Sequence, residues 1–144
     1  MTFDTFVTIN TGKKVDVDGF PKDNPWQCTD LFRKYCKDVL YKPLYCIPGD
    51  VRGAQYIFNN FSTNKDFVKV LNTPTNIPSK GSIFFFKTSI LPPWRFGFAG
   101  HVGMVVWADI NNLVLFNQNY PTGSSCQLTK FSYKDAQGWL TPKK

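Results

Sequence analysis

From Cys28 onward the apolar positions Cys28, Leu31, Phe32, Tyr35, Cys36 and Val39 recur at the three-and-four spacing of one helical face, while Lys34, Lys37 and Asp38 fall off it. Asn24 and Pro25 supply start chemistry, a polar cap followed by proline at the first helical position, so a helix is expected from about residue 25. A second, shorter helix is expected from about Val51 to Phe61, after a loop containing Pro43, Pro48 and Gly49.

Beyond a turn-rich connector over 72–81 the period changes. Ser82 to Thr88 is an apolar, aromatic run bounded by turns and reads as a buried strand. Gly100 to Trp107 and Leu113 to Asn119 read as strands joined by a turn over Asp109–Asn112, with two short strands near Gln127–Tyr133 and Gly138–Leu140. Alternation places His101, Gly103, Val105 and Trp107 on one face, and Leu113, Leu115, Asn117 and Asn119 on one face of the next strand. Helices first and strands second is the α+β arrangement, with N-terminal helices packed on a C-terminal antiparallel sheet. The 144 residues suit one domain, with 1–14 as an N-terminal extension.

Composition sharpens the chemistry. The chain has one histidine, His101, and its ten acidic residues are all aspartate. A glutamate-dependent glycosidase, a His-Glu-x-x-His zinc site and any site with several histidine ligands are excluded. The cysteines, Cys28, Cys36, Cys46 and Cys126, contain no C-x-x-C pair. Residues 1–10 lack the charged and apolar regions of a signal peptide, so reduced thiols are expected. No apolar run approaches the roughly 20 residues of a membrane span, so no membrane insertion is expected. The net charge of +7 is scattered and suits a polyanion such as an acidic cell wall. Phe84-Phe85-Phe86 with that charge raises single-stranded nucleic acid as a partner, but the run reads more simply as core, and no nucleic acid is expected.

Cys28 falls in the first turn of its helix, where unpaired N–H groups and the helix dipole favour thiolate and can hold an oxyanion. A hairpin pairing would bring His101 beside Asn117 or Asn119, whose amide oxygen would fix the imidazole tautomer. That is the Cys-His-Asn logic of papain-like hydrolases. The plain alternatives are a core cysteine, a structural histidine, and asparagines that start the turn at Tyr120-Pro121. Asp16-Val17-Asp18-Gly19 opens as many calcium loops do, or is simply a solvated acidic turn.

Taken in order, Asp16-Val17-Asp18-Gly19-Phe20, Gln27-Cys28-Thr29-Asp30-Leu31, Gly100-His101-Val102-Gly103-Met104-Val105 and Asn117-Gln118-Asn119 resemble the CHAP family, the cysteine, histidine-dependent amidohydrolases/peptidases of the papain-like superfamily. Asn72-Thr73-Pro74 and Lys80-Gly81-Ser82-Ile83 look like its connector, and the likeness runs from about residue 15 to 141. The resemblance, nearest to phage endolysin CHAP domains, implies Cys28 as nucleophile and His101 as general base. It implies Gln27 as a carbonyl-polarising neighbour and Asn119 as a site asparagine. It also implies calcium, held by carboxylates of Asp16, Asp18 and Asp30 and the carbonyl of Phe20. Two departures stand out. Asn117 takes the place of a family glutamate. The ten positions from Asp18 to Cys28 exceed the family spacing through Pro21–Pro25, an insertion that either offers Asp23 and Asn24 as extra ligands or deforms the site.

The function so implied is hydrolysis of an amide bond in Gram-positive peptidoglycan, as amidase or endopeptidase, by a monomer made without a signal peptide and acting on the cell wall. The alternative is a catalytically impaired, virion-associated or wall-binding module of the same fold.

Overall fold

Two consecutive phenylalanines that point in opposite directions explain the architecture. Strand β2 (Ile83–Phe86) is buried at every position, with Ile83 and Phe85 in one apolar cluster and Phe84 and Phe86 in another. A strand covered on both faces reads as a continuous apolar run, as this one does.

The computed structural model describes residues 1–19, 26–43, 53–87 and 100–144. In chain order the remaining elements are α1 (Phe3–Asn10), α2 (Cys28–Asp38), α3 (Ala54–Asn60), β1 (Phe67–Leu71), β3 (His101–Ala108), β4 (Asn112–Asn117), β5 (Gln127–Ser132) and β6 (Ala136–Pro142). The strands form one antiparallel sheet in the order β1-β6-β2-β3-β4-β5. The α+β class and the helices-on-sheet arrangement expected from the sequence are both present.

One sheet face packs against the helices. Leu31, Phe32, Tyr35 and Cys36 of α2 and Ile57 and Phe58 of α3 meet Ile83, Phe85, Val102, Met104, Phe116 and Leu140. These are the stripe residues of the helical pattern, and each large one fully buried contributes about 1.5–3 kcal/mol. The other face closes on itself. The sheet curls until Phe131 on β5 meets Phe86 on β2 at 5.1 Å between ring centroids, and Phe84 stacks on Trp139 of β6 at 5.7 Å. His101 opposes Phe86 in the β2–β3 register, so it enters this aromatic interior at its rim.

Several expectations change. The residues read as an N-terminal extension contain α1, capped by Thr2, whose hydroxyl accepts the Thr5 N–H. Phe6 of α1 is fully buried, edge-on to Tyr35 and Phe116. The three threonines in 2–8 mask this helix in the sequence, because β-branched residues lower helix propensity. Strand β1 pairs with β6 and was not visible in the sequence, because Lys69 interrupts its apolar pattern. Helix α2 starts at Cys28 with Gln27 as its N-cap, not at Pro25. Trp107 lies beyond a register shift in β3 and is exposed, so it does not continue the face of His101 and Val105. Phe20, the insertion Pro21–Pro25 with its Asp23 and Asn24, and Cys46 lie outside the described residues. Among the described residues, no helix is long and apolar enough to cross a membrane, and Cys28, Cys36 and Cys126 are free thiols.

Candidate active site

The helix start fixes Cys28. Asp30 donates its backbone N–H to the Gln27 carbonyl at 3.1 Å, and its carboxylate accepts the Gln27 N–H at 2.8 Å. Cys28 is therefore the first helical residue, nearer the helix terminus than its sequence setting suggests. Its half-buried thiol meets the backbone N–H of Val102, the residue after His101. Burial pushes the thiol up to about 11, against the opposing hydrogen bonds from the amides of Val102, Thr29 and Cys28 itself, with the Asp30 charge adding to the rise. The helix-terminal amides thus act in the expected direction, but desolvation outweighs them, and the net lowering expected from the sequence is corrected. A thiol in this state needs a neighbouring base to ionise at neutral pH.

His101, the base expected from the sequence, is oriented by β4. His101 is buried, and its Nε2 lies 2.8 Å from Oδ1 of Asn117. The Asn117 amide nitrogen donates to the Gln127 carbonyl at 3.1 Å and to Thr129 Oγ1 at 3.0 Å, so its oxygen faces the ring and Nε2 carries the hydrogen. Nδ1 is then the basic nitrogen. Tyr120 and Phe131 flank the imidazole at 5.4 and 6.0 Å between centroids. Two glycines make room. A Cβ on Gly103 would sit 3.0 Å from the Asn117 Cβ and 3.1 Å from that of Leu115. Gly100 adopts φ +73°, and a Cβ there would collide with the Phe86 carbonyl.

Asn119 leaves the strand with φ +64° and turns toward the nucleophile's cap, its amide 3.3 Å from Gln27 Oε1. Between the two asparagines, Gln118 faces the helices and is fully buried. It bonds to both backbone groups of Val15, to the Gln27 carbonyl and to the Cys126 thiol. Sequence reasoning carried Gln118 only as part of a motif. Its signal was a glutamine on the apolar, helix-facing alternation of Phe116.

The acidic residues also converge. Ligand oxygens of Asp16, Asp18 and Asp30 lie within 4.8 Å of one another. Asp16 Oδ1 accepts the N–H groups of Asp18 and Gly19 at 3.1 and 2.6 Å, which shapes the turn. Burial pushes the Asp30 carboxyl up to about 7, the Asp18 and Asp16 charges add to it, and the amides of Gln27 and Val17 oppose it. Three converging carboxylates, one of them buried, form an all-oxygen donor set suited to a hard divalent cation.

No family model matches the chain, and no curated protein matches it. Solved structures do. The endolysin LysIME-EF1 superposes with a TM-score of 0.72 at 18% identity over 99% of this chain and 64% of that one. Ly7917, crystallised with the hydrolyzing product of MDP, superposes with a TM-score of 0.66 at 19% identity over 95% of this chain and 60% of that one. The chain therefore shares their fold and spans less than two thirds of the length of either.

Proposed function

We propose that the protein is a peptidoglycan hydrolase of the phage endolysin type that cleaves an amide bond by a Cys28–His101 mechanism. The observation that carries this reading is the contact of the Cys28 thiol with the amide of Val102, the residue that follows His101 in β3, together with the commitment of His101 Nε2 to Asn117. The fold of an endolysin and of a protein crystallised with an MDP product supports the substrate class. The CHAP resemblance of the motifs supports the residue roles.

In this mechanism His101 Nδ1 takes the thiol proton as Sγ attacks the amide carbonyl. The carbonyl electrons move to oxygen, which the first amides of α2 receive. The intermediate collapses as the C–N bond breaks and His101 protonates the leaving amine. A thioester remains. Water, deprotonated by His101, attacks it, the C–S bond breaks, and the thiolate recovers its proton. Asn117 holds the ring throughout, and Gln27 and Asn119 line the nucleophile's cap.

Asp16, Asp18 and Asp30 would hold calcium, joined by the Phe20 carbonyl. When bound, the ion would neutralise the three converging carboxylates. The net charge of +7 suits a Gram-positive wall rich in anionic polymer. The protein acts on the wall as a monomer, without nucleic acid or membrane insertion. Incubation with purified Gram-positive peptidoglycan should release new amino groups, identified by mass spectrometry as amidase or endopeptidase products. Intact walls after incubation would refute the reading.

A second reading has its own support. The desolvated Cys28 thiol and the carboxamide of Asn117, which cannot balance an imidazolium charge, suit a catalytically impaired, virion-associated or wall-binding module. Binding to walls without product release would favour it.

A further inference from the structure

Gln118 takes no part in the chemistry described so far, yet it is fully buried in the middle of the site. Its Oε1 accepts the Val15 N–H at 2.9 Å and the Cys126 thiol at 3.2 Å. Its Nε2 donates to the Val15 carbonyl at 2.7 Å and to the Gln27 carbonyl at 2.7 Å. A carboxamide has two acceptor and two donor positions, and all four are used. The backbone partners fix its orientation, since the Val15 N–H can only donate and the two carbonyls can only accept.

We infer that Gln118 is the positioning residue for the oxyanion-binding amide of Cys28. The Gln27–Cys28 peptide is planar and trans, so its N–H points opposite to its C=O. Gln118 Nε2 and the Asp30 N–H hold that carbonyl from behind, at 2.7 and 3.1 Å. The Cys28 N–H is thereby aimed away from Gln118, on the side of its own thiol, before any substrate arrives. Preorganisation of this kind is what gives an oxyanion donor its catalytic value. Through Val15 the same side chain ties the start of the acidic loop to the nucleophile's peptide.

Few residues can replace it. Asparagine is one methylene too short to span the three partners. Glutamate would set carboxylate oxygens against two carbonyls. Methionine matches the length but leaves the Val15 and Gln27 groups unpaired.

The inference rests on the hydrolase reading, and the experiment separates the two. Wild type and Gln118→Asn are compared for kcat and KM on soluble peptidoglycan fragments, and for the rate at which iodoacetamide alkylates Cys28. Alkylation develops no oxyanion, so it reports the thiol without the amide. Gln118→Asn should lose about 10- to 100-fold in kcat. Its KM should stay within about twofold, and its alkylation rate should not change. An unchanged kcat in the folded variant, or a parallel fall in kcat and alkylation, overturns the inference and leaves the hydrolase reading standing. An inert wild type overturns both. If Gln118→Asn does not fold, hydrogen exchange of the wild-type Gln118 side-chain amide decides. Slow exchange of both protons supports the inference, and exchange at the rate of a solvent-exposed glutamine overturns it.

Discussion

The Nε2 of His101 donates to Oδ1 of Asn117 at 2.8 Å, and the Asn117 nitrogen is anchored in turn to the Gln127 carbonyl and the Thr129 hydroxyl. The pairing explains how a carboxamide holds the imidazole at this position. A carboxylate could face the ring but would also face the Gln127 carbonyl with no proton to offer. Asn117→Asp should therefore destabilise the fold by about 1–3 kcal/mol, the cost of a buried unpaired acceptor. Chemical denaturation of the two proteins measures it, and equal stability would show that the Gln127 contact has no energetic weight.

Removal of either reacting group gives the direct test of mechanism. Cys28→Ala and His101→Ala should each reduce wall hydrolysis by at least about a thousandfold. Both variants should keep the wild-type circular dichroism spectrum. Substantial hydrolysis by a folded variant would refute the assigned roles.

The Cys28 thiol, pushed up to about 11, supplies almost no thiolate of its own at neutral pH. In the proposed mechanism, reactivity there comes from proton transfer to His101. Iodoacetamide should modify wild-type Cys28 at pH 7, whereas His101→Ala should require alkaline pH. Cys126, also pushed up to about 11 by burial, is the internal control. Equal rates at Cys28 and Cys126 in the wild type would point to the impaired module.

Gly103→Ala places a methyl group 3.0 Å from the Asn117 Cβ. Overpacking of this sort costs about 1–3 kcal/mol, and here it also displaces the imidazole's partner. Hydrolysis should fall by more than the loss of stability explains, measured as kcat at a temperature where both proteins are fully folded.

Asp30 gives a pH dependence of defined sign. Its folded carboxyl titrates near 7, above the unfolded value, so between about pH 4 and 7 the folded state holds a proton that the unfolded state has lost. Stability from this group is full below the unfolded value and declines as pH rises through that window. In EDTA the melting temperature should fall from pH 4.5 to 7. Calcium should restore it at pH 7 and do little at pH 4.5. Asp30→Asn should abolish the calcium response, and a response that survives would place the ion elsewhere.

The α+β fold was legible in the sequence, and so was the pairing of His101 with Asn117, because a hairpin fixes a neighbour. Asp16 and Asp18 share a short local turn signature, whereas Asp30, from the next helix, joins them only through the fold. The cap was misplaced because Gln27 is held by Asp30 and Gln118, the latter 91 residues away in the chain. No local pattern reports such a contact. The rise of the Cys28 thiol escaped for a related reason, since desolvation depends on what packs over the helix terminus. Helix α1 and strand β1 were missed because threonines in one and Lys69 in the other blur their periods.

The curled sheet has one more consequence, for how the two halves of the site hold together as the protein fluctuates. His101 is zipped to Phe86, the end of a strand buried on both faces, so its backbone can leave its place only when the sheet itself opens. Cys28 begins α2, a helix held to that sheet by side-chain packing, with the Gln27 carbonyl fixed by the Asp30 N–H and by Gln118. The two residues therefore belong to different cooperative elements, one joined to the sheet by backbone hydrogen bonds and the other by side-chain packing.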